Sequence, residues 1–83
     1  MTQYHFNLLD ENQQAQAVRE RGVLISEREH KNYRILLYQI DAFYVEAYLH
    51  THFNVIAKFR SFRNLKHLEP YLKEIAIDAL IEG

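Results

Sequence analysis

Eighty-three residues, 48% hydrophobic and 25% charged, make ordinary globular composition and leave room for a single domain with a small core. The chain has no cysteine, which excludes disulfides and thiolate metal sites, so the extra stabilisation a short domain needs is expected from self-association. A formal net charge of −1 provides no overall field for nucleic acid or anionic lipid, and no stretch approaches the roughly 20 apolar residues of a membrane span.

The opening MTQYHFNLLDEN has neither a basic leader nor an apolar run, so a soluble cytoplasmic protein with no membrane partner is the expectation. Asn7 or Asp10 caps a first helix running to about Arg21, with Gly22 as its stop, and Asn7 with Asp10 has the spacing of a reciprocal cap. Leu8, Ala15 and Val18 form a thin apolar stripe on it, suited to lying over a sheet, and Arg19 and Arg21 complement the helix dipole.

Two strands follow, VLISERE and YRILLYQI. A turn at His30-Lys31 sets Val23 against Tyr38, Ile25 against Leu36, and Glu27 against Arg34 as a cross-strand charge pair. Asp41-Ala42 makes the next turn. Asp tolerates positive φ and Ala does not, so a turn with two positive φ values is disfavoured there.

In FYVEAYLH the apolar Phe43, Val45, Ala47 and Leu49 alternate with Tyr44, Glu46, Tyr48 and His50, the period of a strand with one buried face. A turn near Thr51, His52 and Phe53 leads to NVIAKFRSF. The register chosen there sets Val45 against Phe59, Ala47 against Ala57, Leu49 against Val55, and Glu46 against Lys58. Asn64 caps the last segment, in which Leu65, Leu68, Leu72, Ile75 and Ala79 recur at helical spacing. Pro70 either bends this helix or marks its start after a short turn at Leu65–Leu68; Tyr71, Ile77, Leu80 and Ile81 add apolar weight that should dock it.

The expected fold is therefore α+β: an N-terminal helix, a four-stranded antiparallel meander and a C-terminal helix, with both helices on one sheet face. That face carries Val23, Ile25, Leu36, Tyr38, Ile40, Phe43, Val45, Ala47, Leu49, Val55, Ala57 and Phe59. The other is apolar at its centre, with Leu24, Ile35, Leu37, Tyr44, Tyr48 and Ile56 around Glu46 and charge at the rim. An apolar, tyrosine-rich patch inside a polar rim is how protein interfaces are built. Leu24, Ile35, Leu37, Tyr44, Glu46, Tyr48 and Ile56 are accordingly the candidate interface, for a homodimer or another protein partner, with cover by the C-terminal segment and plain exposure as the alternatives.

The basic tract Lys58, Arg60, Arg63, Lys66 and His67, interleaved with Phe59 and Phe62, is the candidate for the alternative reading, a nucleic-acid-binding module. Charges that protect an edge strand from pairing are its structural counterpart. The helix–strands–helix order is similar in topology to the double-stranded-RNA-binding domain. That family's lysine-rich start of the final helix falls on PYLKEIAIDAL, which is net acidic here.

His50 and His52 lack a third ligand, so they read as turn residues and no metal or cofactor is expected. Ser26, Ser61, Thr2 and Thr51 are the only aliphatic hydroxyls, none in a nucleophile context, and two glycines make no phosphate loop. Glu46 is the one carboxylate inside the aromatic face, where a proton-transfer group would sit; its structural counterpart is an ion pair with Lys58. A non-enzymatic interaction module is the leading reading, and a small-molecule pocket beneath the helices near Tyr38 is the weakest.

Overall fold

The computed structural model describes residues 1–72. It has the α+β architecture and element order read from the chain: α1 (Gln3–Leu8), α2 (Glu11–Arg21), β1 (Val23–His30), β2 (Tyr33–Ile40), β3 (Phe43–His50), β4 (Val55–Phe62), a 3-10 turn (Leu65–Leu68) and α3 (Glu69–Leu72). The four strands form one antiparallel sheet in the order β1-β2-β3-β4. Among the described residues no helix is long and apolar enough to cross a membrane.

The expected single N-terminal helix is two. Thr2 caps α1, and the chain then opens at Asp10, whose φ of −75° and ψ of 173° are extended. Asp10 accepts from the Gln13 amide at 2.8 Å while the Gln13 side chain accepts from the Asp10 amide at 3.1 Å, a complete capping box three residues later than the one expected at Asn7. Restarting the helix turns Leu8 out to solvent, while Ala17 and Val18 are buried. Gly22 ends α2 without a left-handed φ. Its place rests on close approach, since a β-carbon there would stand 2.5 Å from the Val18 carbonyl oxygen.

The β2–β3 register is as expected, with Ile40 facing Phe43, Tyr38 facing Val45 and Leu36 facing Ala47. Of the two turn residues only Asp41 has positive φ, 50°, so Ala42 is unstrained. The outer strands differ. The first hairpin turns at Lys31-Asn32, so His30 faces Tyr33 and Glu27 faces Leu36; Glu27 still reaches Arg34 diagonally, at 3.3 Å. A β-bulge between Leu24 and Ser26 then puts Leu24 opposite Tyr38 and Val23 opposite Gln39, exchanging the faces expected for both. On β4 the partners lie two residues on, Val45 with Ser61 and Ala47 with Phe59. A second bulge sets Leu49 opposite Ile56 and moves Ile56 to the face beneath the helices.

Each sheet face has its own core. On one, Phe6, Ala17 and Val18 of the N-terminal helices pack on Ile40, Phe43 and Val45. On the other, Ile35, Leu37, Tyr48 and Phe62 pack under Tyr71, with Leu68 beside them. The 3-10 turn and α3 therefore lie across the face opposite α1 and α2, and the expectation of both helices on one face is corrected. Asn64 caps the 3-10 turn and α3 begins at Glu69, with Pro70 in its first turn where a missing amide is harmless. Leu68 and Tyr71, three apart, then reach down together. Covering roughly 150 Å² of the Tyr71 ring is worth about 4 kcal/mol gross, enough to offset ordering of two or three residues. The expectations for Ile75, Ile77, Ala79, Leu80 and Ile81 lie outside the described residues.

Candidate functional site

Alternation along β3 sends Glu46 to the face that Tyr71 covers, in a row across the sheet with Ser26, Leu37 and Arg60. It is 3% exposed. Tyr71 Oη donates to Glu46 Oε2 at 2.5 Å, Arg28 Nη2 donates to the same oxygen at 3.4 Å, and Tyr48 Oη donates to Oε1 at 3.5 Å. The Arg28 guanidinium also lies 5.2 Å from the centre of the Tyr71 ring. The expected pair with Lys58 does not form, because the two-residue shift puts Arg60 opposite Glu46 and Lys58 opposite Tyr48, its Nζ 4.6 Å from that ring.

Burial first, and then the Glu46 carboxylate, push the Tyr71 hydroxyl well above the ordinary phenol range, so its proton stays in place. For Arg28, burial works against the charge, but Tyr71 and Glu46 outweigh it and hold the guanidinium charged. Both carboxylate oxygens are engaged by protein donors, an arrangement that pins α3 to the sheet.

Beside this network Arg28, Glu29, Glu46, Arg60, Lys66, His67, Glu69 and Pro70 line an open groove of about 460 Å³. Arg60 Nη2 lies 3.4 Å from His67 Nδ1, and the His67 ring packs 5.1 Å from Phe62. Of the five residues of the basic tract singled out from the sequence, the fold brings Arg60, Lys66 and His67 to one groove and keeps Lys58 one row along the same face. It sends Arg63 to a separate cleft beside Met1, Thr2 and Phe43. Arg28 was missed by the sequence reading. Alternation alone put it on this face, but nothing local linked it to Glu46, 18 positions away.

The candidate interface divides. Ile35, Leu37, Glu46 and Tyr48 are buried within the chain, and Tyr44 is half-buried with its ring stacked 5.4 Å from Phe62. Leu24 and Ile56 lie on the other face, the bulges having moved them. Among the described residues the large apolar side chains left in the open cluster at two corners of the sheet, Val23, Leu24 and Ile25 at the start of β1, and Phe53, Val55 and Ile56 around the turn into β4; Tyr4, Leu8 and Leu65 are exposed singly. The slot under α2 that Tyr38 lines is about 170 Å³, below the few hundred of a typical ligand site. His50 Nδ1 accepts from the amides of His52 and Phe53 at 3.3 and 3.4 Å, so it serves the loop; among the described residues no group of three ligating side chains could hold a metal. The chain has no match among family models, curated proteins or solved structures.

Proposed function

We propose that this chain is a non-enzymatic protein-interaction module that self-associates, its copies meeting at the corner formed by Val23, Leu24 and Ile25. The observation that carries the reading is three consecutive apolar side chains, 63%, 52% and 46% exposed, at the start of an edge strand. Water contact at all three is unfavourable, and because Val23 and Leu24 point to opposite faces, a two-fold contact across the edge of β1 is the arrangement that takes in all three. The bulge at this corner works against ladder pairing of one edge to another, so side chains make the contact. Three side chains make a contact smaller than the roughly 800 Å² per partner of a standard interface, so weak association, on the order of 10–100 μM, is expected. The tyrosine face takes part only where Leu68 and Tyr71 are displaced from it.

Sedimentation equilibrium tests the reading. The wild-type chain shifts from monomer to dimer across that concentration range, and Leu24→Asp abolishes the shift at little cost to folding because the site is exposed. Tyr4→Asp, at a 75% exposed position on α1, leaves the association unchanged. A wild-type chain that stays monomeric well above this range contradicts the reading.

A further inference from the structure

We infer that the groove between β4 and the turn at Leu65–Leu68 binds a compact oxyanion, such as a phosphate monoester or a small carboxylate, through Arg60, Lys66 and His67. Arg60 and Lys66 line the same groove, and neither is in an ion pair among the described residues, whose pairs are Met1 with Asp41, Arg28 with Glu46, and Arg34 with Glu27. Like charges held near each other are an unfavourable arrangement that an anion between them reverses. With His67 Nδ1 accepting from Arg60, the ring keeps Nε2–H as a further donor.

Arg28 also lines the groove, but its guanidinium is held by Glu46 and the Tyr71 ring and its Nε is buried, so it adds positive charge beside the site and does not touch the ligand. Guanidinium groups suit oxyanions because their planar donors match two oxygens at once.

The acidic residues decide the size of the ligand. Glu46 is already offset by Arg28, Tyr71 and Tyr48. Glu29 and Glu69 are exposed and also line the groove, so they work against a long polyanion running through it more than against a single anionic group held by Arg60 and Lys66. This favours a small oxyanion over a nucleic-acid strand. The site is separate from the β1 corner, so failure of self-association leaves it standing.

The test is a titration of the isotope-labelled full chain with sodium phosphate, compared with sodium chloride at matched ionic strength, and followed by amide shifts. Sodium acetate and a short single-stranded oligonucleotide form separate arms. Expected are saturable shifts at Arg60, Lys66 and His67 with phosphate or acetate and not with chloride, about tenfold weaker in Arg60→Gln and in Lys66→Gln. Lys31→Gln, in the distant first turn, leaves them unchanged. Shifts that do not saturate, or that appear equally at Lys31, mean an adventitious ion only and overturn the inference. So does oligonucleotide binding in the absence of phosphate and acetate binding.

Discussion

A buried carboxylate left without partners is among the costliest single defects in a small domain. Glu46 avoids that cost through donors from three elements: Arg28 of β1, Tyr48 of its own strand and Tyr71 of α3. The Tyr71 contact is the shortest of the three and the only one that ties down the C-terminal segment. Removing it in Tyr71→Phe keeps the ring packed and deletes one bond to a charged acceptor, which is expected to lower stability by about 1.5–3 kcal/mol in urea unfolding. Burial of the Tyr71 hydroxyl, and then its bond to Glu46, set a pH dependence. The folded-state pKa of Tyr71 is raised above its unfolded value of about 10, so its contribution is complete below that pH. At higher pH the unfolded chain loses the phenol proton first, and stability falls. The melting temperature of the wild-type chain should therefore drop more steeply above about pH 10 than that of Tyr71→Phe; parallel curves would show that the hydroxyl is not held as described.

At the scale of elements, the hairpins explain which parts of the fold could be read from the chain. The β2–β3 pairing was legible because Phe43–His50 alternates without interruption and a two-residue turn fixes the register. The bulges on β1 and β4 were not, because Ile25 and Ala57 are unremarkable strand residues and carry no turn or glycine signal. That is why Leu24 and Ile56 were placed on the wrong face, while Ile35, Leu37, Tyr44 and Tyr48 were placed on the right one. Glu46 was singled out correctly as the carboxylate within the aromatic face. Its partners were not, since the register of β4 was two residues off and Tyr71 was assigned to the opposite side. The turns also carry a testable strain. Lys31 has a φ of 56°, and a left-handed non-glycine residue costs about 1–2 kcal/mol, of which the greater unfolded-state freedom of glycine takes back about 0.5–1. Lys31→Gly is expected to stabilise the chain by about 0.5–1 kcal/mol; an unchanged or lower denaturation midpoint would show that the turn is not strained. Asp10→Ala, which removes the capping box of α2, should cost about 1 kcal/mol by the same measurement.

For the molecule as a whole, the central physical fact is a sheet that is apolar on both sides in a chain of 83 residues. The two short N-terminal helices bury one face only in part, and among the described residues Tyr71 with Leu68 anchors the cover over the other. Two apolar corners stay in water, one at Phe53, Val55 and Ile56 and one at Val23, Leu24 and Ile25, and the second is the contact proposed between copies. Intermolecular methyl contacts in a mixture of differently labelled copies test this most directly. The account predicts contacts from Val23, Leu24 and Ile25 of one copy to the same residues of the next. Contacts running instead through the rings of Tyr44 and Tyr48, or none at concentrations where the chain is dimeric, would contradict it.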